Sequence, residues 1–294
     1  SNIKFFFEGE EEAGSPNLAR ILEAHKPILG ADVWLTNTSP RDRTVRLGGW
    51  CSSWNGVDWP YPTIPDTAVT VRAGQTRRVR LGGFPWTAGP ESYWWPNVPY
   101  QPGYRAQLHL LHLILTEDSA PLHEAAPLHM ASVRFGFREF RQQGPRFTLN
   151  GVPINLRGDN LQVANYDRID YGGRGDAIDT LPGFLPPSED NPGWPQAVDN
   201  FLRLNYNVQR THMGPWTPYM LDVCDERGLM LIGESACRWN GFDMEDGRGF
   251  YEEKCLQDII RRDRNHPAIV RWSAKNEPQC TDEEYHIGLY RAIK

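Results

Sequence analysis

The chain has 294 residues, of which 39% are hydrophobic and 23% charged, enough to bury the cores of two domains of ordinary size. Its formal net charge is -6, and its Lys and Arg residues are scattered, so it carries no electrostatic footprint for nucleic acid. No apolar run reaches the length of a membrane span, and neither a membrane nor nucleic acid is expected as a partner.

The first residues, SNIKFFFEGEEEAGSPNL, place Glu8, Glu10, Glu11 and Glu12 directly behind three phenylalanines. From about Asp32 to Arg134 the pattern becomes short alternating runs between Gly, Pro and Asn: ADVWLTN, RTVRLGGW, AVTVRAG, TRRVRLGG and YRAQLHLLHLIL. Period-two alternation at this spacing predicts an all-β sandwich. In the last run His109 and His112 are an odd number of residues apart, so they belong on opposite faces and cannot grip a metal together.

From about Phe147 the pattern is strand then helix. Strands are predicted at Pro153–Gly158, Asn207–His212, Leu229–Glu234 and Ala268–Ala274. Helices are predicted at Gln196–Leu204, Pro218–Arg227, Gly249–Arg264 and Asp282–Ala292. Repeated βα units imply a parallel sheet with helices outside it, and four units with polar strand ends suit the first half of a (β/α)8 barrel. The long connection from Gln162 to Pro195 would then lie over the barrel's catalytic face, as a rim or a plain insertion.

Five cysteines, Cys51, Cys224, Cys237, Cys255 and Cys280, include no C-x-x-C pair, so buried thiols are expected rather than a disulfide framework or a zinc site. The 11 Trp residues suit packing against sugar rings, and equally suit core filling. The sharpest stretch is IIRRDRNHPAIVRWSAKNEPQ, where an apolar strand runs into Asn276-Glu277-Pro278. On a barrel that end is the chemical face. A glutamic acid there can protonate a glycosidic oxygen and later deprotonate water, while the adjacent amide can hold the sugar 2-hydroxyl. A helix cap after a core strand is the competing reading.

Two resemblances follow. The acidic run is similar to the strand-end motif of carnosinase-like zinc dipeptidases, which would make Glu11 a general base and Glu12 a metal ligand. No matching pattern of His and Asp ligands follows Leu35, so residues 1–31 read as a leader of separate origin. FGFREF, FTLNGVPINLRGDN, NVQRTHMGPWTPYMLDVCDERGLMLIGE and IRRDRNHPAIVRWSAKNEP, in that order, resemble glycoside hydrolase family 2, the β-galactosidase, β-glucuronidase and β-mannosidase group. This resemblance runs from about Val33 to Lys294. It implies an immunoglobulin-like β-sandwich over 32–140, including Tyr93-Trp94-Trp95-Pro96-Asn97, and a partial (β/α)8 TIM barrel of about four βα units over 141–294.

The family implies retaining hydrolysis of a terminal β-glycosidic bond, with Glu277 as acid/base and Asn276 as its sugar-binding neighbour. Arg157, Asp159, Asn160, Arg210, His212 and Glu234 are carried over as substrate-binding residues, and no cofactor or metal is implied. The expected partner is a β-linked oligosaccharide or glycoside, with self-association through exposed barrel edges. Gly158-Asp159-Asn160-Leu161-Gln162 stands where β-galactosidases show Asn-Arg-His-Glu, which counts against galactose. The family's nucleophile lies on a seventh barrel strand, so 1–294 alone is expected to lack retaining activity. A zinc peptidase fragment and a non-catalytic carbohydrate-binding module are the alternatives.

Overall fold

Alternating apolar residues between turns form strands β1 (Lys4–Phe6), β2 (Ile28–Thr36), β3 (Arg43–Ser53), β4 (Thr67–Val71), β5 (Thr76–Pro85), β6 (His109–Glu117) and β7 (Pro127–Phe135). The computed structural model describes residues 4–6, 28–117, 126–162, 184–212, 214–234, 248–274, 276 and 287. It divides into two units, Ser1–Tyr93 with Gln107–Glu139 and Trp94–Ala106 with Phe140–Lys294. Among the described residues no helix is long and apolar enough to cross a membrane.

The first unit holds two antiparallel sheets, ordered β1-β2-β5 and β4-β3-β6-β7. Leu29, Ala31 and Leu81 of one sheet and Leu111 and Leu113 of the other line a common small void, which places the core between the sheets. Lys4–Phe6, within the segment expected as a separate leader, pairs with Asp32–Trp34 as an edge strand; Glu11 and Glu12 lie outside the described residues.

The two strand histidines point to opposite faces. His109 is fully buried, and its Nε2 lies 2.9 Å from the Ser92 carbonyl, so this nitrogen carries the proton and Nδ1 accepts from the Tyr61 hydroxyl at 2.9 Å. Burial pushes its pKa down to about 4, against a weaker upward pull from the Ser92 carbonyl. His112 lies on the outer face, stacked on Trp50 at 5.0 Å between the hydroxyls of Ser52 and Ser132.

In the second unit β8 (Phe140–Gln143), β9 (Arg146–Leu149) and β10 (Val152–Ile154) form an antiparallel sheet. Then β11 (Gly158–Gln162), β12 (Val208–His212), β13 (Met230–Glu234) and β14 (Ile269–Ser273) form a parallel sheet in sequence order. Helices α1 (Gly193–Arg203), α2 (Pro218–Arg227) and α3 (Arg248–Asp263) connect the last three of these strands to their predecessors. This is the β/α arrangement the strand-then-helix pattern implies. Residues 163–183, in the long connection, and the predicted final helix, apart from Ile287, lie outside the described residues.

The predicted first strand, Pro153–Gly158, is corrected. Val152–Ile154 turns back on β9, and the first parallel strand is the polar run Gly158–Gln162. Gly, Asp and Asn have poor strand propensity, but the ladder to β12 overrides it. Gly158 makes that ladder close: a Cβ there would lie 1.7 Å from the Val208 carbonyl oxygen.

α2 shows why these elements stop where they do. Thr217 caps its start, accepting from the Met220 N–H at 3.3 Å, Pro218 occupies the first turn, and Gly228 ends it with φ 77°. Carbonyls at a helix C-terminus lack intrahelical partners. Here the segment Trp94–Ala106 supplies them: the Trp94 indole donates to Asp225 O at 2.8 Å, Ala106 N to Glu226 O at 3.1 Å and Asn97 N to Gly228 O at 2.9 Å. Trp94 and the run after it thus belong to the second unit, although the family resemblance assigns them to the sandwich.

Gly158→Ala is expected to destabilise the second unit by at least about 1–3 kcal/mol, the usual cost of overpacking, because a backbone oxygen cannot yield as a side chain can. A lower midpoint in thermal unfolding followed by circular dichroism checks it. For the first unit, His109 is held neutral while the unfolded chain takes up a proton, so stability is full above about pH 6.5 and falls as pH drops toward about 4. Protection factors of amides in β3 and β6, taken against the intrinsic exchange rate at each pH, should fall across that window; unchanged protection would refute the assignment.

Candidate functional site

The C-terminal ends of the parallel strands meet at one guanidinium. Arg210, on β12, donates from Nε to Glu234 Oε2 at 2.7 Å, from Nη1 to Asn160 Oδ1 at 3.2 Å and from Nη2 to Asn276 Oδ1 at 2.7 Å. Its Nη2 also stands 2.6 Å from Glu234 Oε2. Asn160 faces Arg210 across the β11–β12 ladder, Glu234 ends β13, and Asn276 follows β14, so each strand brings one group.

Glu234 is fully buried and Asn276 only 3% exposed. A carboxylate removed from water survives as an anion only when it is paired and hydrogen-bonded. Besides Arg210, Glu234 Oε2 accepts from the Ser273 hydroxyl at 2.8 Å, while its backbone N–H donates to Thr211 Oγ1 at 2.8 Å. Thr211 and Ser273 were not among the predicted site residues. Their pairing with Glu234 depends on strand register, since Ser273 and Glu234 are direct neighbours across the β13–β14 ladder.

The structure therefore brings together Asn160, Arg210, Glu234 and Asn276. His212, two residues beyond Arg210 on the same strand, is half-buried at the C-terminal end of β12. Asp159 is exposed, and its carboxylate accepts from the Asn160 N–H at 2.7 Å. Arg157 is not brought to this site. It precedes β11, at the opposite end of the sheet, where Nε and Nη2 donate to the carbonyl and side-chain oxygens of Asn205, each at 3.0 Å. Its backbone N–H donates to Asn207 Oδ1 at 2.8 Å, so it ties β11 to the turn before β12. Glu277 lies outside the described residues, immediately after Asn276.

Of the described thiols, Cys51 and Cys224 are both buried; burial raises Cys51 to about 12 and Cys224 well above the ordinary value, so neither is a thiolate nucleophile near neutrality.

Comparison with known proteins follows this geometry. Residues 196–294 match the family model described as Glycosyl hydrolases family 2, TIM barrel domain. The beta-glucuronidase of Mus musculus is 27% identical over 193 residues, covering 63% of this chain and 25% of that protein. The beta-glucuronidase of Homo sapiens is 27% identical over 195 residues, covering 64% of this chain and 26% of that protein. This chain thus spans about a quarter of the length of these relatives. In fold it is similar to Bacteroides uniformis beta-glucuronidase 2, solved covalently bound to cyclophellitol-6-carboxylate aziridine, with a TM-score of 0.68 at 18% identity over 99% of this chain and 32% of that one. It is also similar to a GH2 beta-galacturonidase from Eisenbergiella tayi, with a TM-score of 0.66 at 18% identity over 99% of this chain and 43% of that one.

One further cluster, Asp222, Asp225 and His266, has ligand atoms within 4.8 Å of one another, a spacing that could hold a cation. Its chemistry is that of a clamp instead. Asp225 is 2% exposed; its Oδ1 accepts from the Ala268 N–H at 2.9 Å and its Oδ2 lies 2.6 Å from His266 Nδ1. A metal ion would have to displace these donors. The cluster ties α2 to the start of β14, at the sheet end away from Arg210. Burial alone would lower the His266 pKa, but the Asp225 hydrogen bond and the charges of Asp225, Asp222 and Asp263 outweigh it and raise the value above 6.5. A histidine with a raised pKa contributes stability in full below its unfolded pKa and loses it as pH rises through the folded value. The second unit is expected to lose protection in β14 as pH climbs from about 6.5, and His266→Gln to flatten that dependence, both read by amide hydrogen exchange.

Proposed function

We propose, from the match of residues 196–294 to the family 2 TIM barrel domain and the similarity to beta-glucuronidases, that this chain supplies the acid/base half of a retaining β-glycosidase site. The single observation that carries this reading is the Arg210 hub at the C-terminal strand ends, which holds the amide of Asn276, the residue before Glu277 in the sequence. In a βα barrel, chemistry is done at that end. The first unit is then the immunoglobulin-like sandwich of such enzymes, and β11–β14 are the first four strands of a (β/α)8 barrel.

Glu277 protonates the leaving-group oxygen in the first step and deprotonates water in the second. The nucleophile of a retaining enzyme stands about 5–5.5 Å away. Glu234 does not take that role: it is fully buried, and Arg210 and Ser273 occupy its Oε2. β11 and β14 end the parallel sheet among the described residues, and association through such edges is the self-contact a partial barrel invites.

Because the relatives above are beta-glucuronidases, a β-glucuronide is the first substrate to test. Exposed Asp159 and Asn160 and half-buried His212 offer hydrogen bonds around the sugar. The zinc peptidase and carbohydrate-module readings draw no support from these relatives.

In the complete enzyme that carries this chain, Glu277→Gln is expected to lower turnover of nitrophenyl β-glucuronide about 10²–10⁴-fold, the usual contribution of a general acid/base. External azide should partly restore it as a β-configured glycosyl azide, seen by NMR. Unchanged turnover would overturn the assignment of Glu277.

A further inference from the structure

We infer that Ser273 is a positioning residue for the sugar's 2-hydroxyl, acting through Glu234 and Arg210 on the amide of Asn276. The inference rests on the family 2 reading of the site and assigns a role to a residue that reading does not use.

An arginine guanidinium has only donors, so the Asn276 atom 2.7 Å from Arg210 Nη2 must be the carbonyl oxygen. The amide is thereby oriented: its Nδ2 group is what it offers a ligand, as a donor to an oxygen. A different guanidinium orientation would leave the amide free to flip and present an acceptor. Arg210 is held in turn by Glu234, whose Oε2 receives its Nε and Nη2.

Ser273 restrains the torsion of the Glu234 side chain. Its hydroxyl donates to Oε2, the same oxygen that Arg210 uses, from the adjacent strand at 2.8 Å. Ser273 and Asn276 lie on one short stretch of chain, so the residue restraining the carboxylate and the residue oriented by it move with the same strand end. The relay is closed: β14 to β13 through Ser273, β13 to β12 through Glu234, and β12 back to Asn276 through Arg210.

The test uses the complete enzyme carrying this chain, with aryl β-glycosides that either carry or lack the 2-hydroxyl. Ser273→Ala is expected to lower the ratio of kcat/KM for the hydroxylated over the 2-deoxy substrate about 3–10-fold, the net worth of one hydrogen bond. Ser273→Thr, which keeps the hydroxyl, should restore most of it. Asn276→Ala should collapse the ratio and so tests the site reading itself. If Asn276→Ala leaves the ratio unchanged, the site reading fails. If Asn276→Ala collapses it while Ser273→Ala does not, or if Ser273→Ala slows both substrates equally, the positioning role of Ser273 is overturned and the site reading stands.

Discussion

A guanidinium that is largely enclosed must find an acceptor for each N–H it points inward, because an unpaired buried charge costs several kcal/mol. Arg210 meets this demand by drawing on every strand of the parallel sheet: Asn160 from β11, Glu234 from β13 and Asn276 from the end of β14. The ladder sets which residues sit near it, and the charge decides how their side chains turn. Asn276 presents its oxygen because arginine has nothing but donors, and the fully buried Glu234 is tied to both Arg210 and Ser273 through its Oε2. Removing any member would leave the others with uncompensated polarity, which is why the group behaves as a unit.

The two ends of the sheet divide the work. At the N-terminal end, polar groups are spent on joining elements. Arg157 holds Asn205, the Asn207 side chain bridges the Arg157 N–H and the Asn155 carbonyl, and His266 with Asp225 fastens α2 to β14. The carbonyls that α2 leaves open are taken up by Trp94, Asn97 and Ala106, so a segment distant in sequence completes the helix. At the C-terminal end the same residue types converge on one point and hold the Asn276 amide. Both ends use paired or hydrogen-bonded charge; in the function proposed above, the second also meets the sugar.

Much of the fold was legible from periodicity. Alternation between turn residues located the sandwich strands, and the odd separation of His109 and His112 put one histidine in the core and one outside it. β13 and β14 fell within a residue or so of their expected bounds because their apolar runs read clearly, and β12 did so on its β-branched Val208 and Thr211. β11 did not, since its residues are polar and its strand character comes from the partner rather than from itself. The same misplacement put Arg157 at the strand's C-terminal end with Asp159 and Asn160, whereas it immediately precedes Gly158–Gln162 and so lies at the other end of the sheet.

What the sequence determined alone was composition at a strand end: an amide and a carboxyl after an apolar run, an arginine and a histidine alternating with β-branched residues, a glutamate after a second apolar run. These positions follow from local pattern, which short-range sterics and hydrophobic alternation suffice to set. Which of them touch was decided by tertiary structure, because strand register, the close approach that Gly158 permits, and the pairing of a half-buried guanidinium are all long-range. Ser273 entered the group, and Arg157 left it, for that reason.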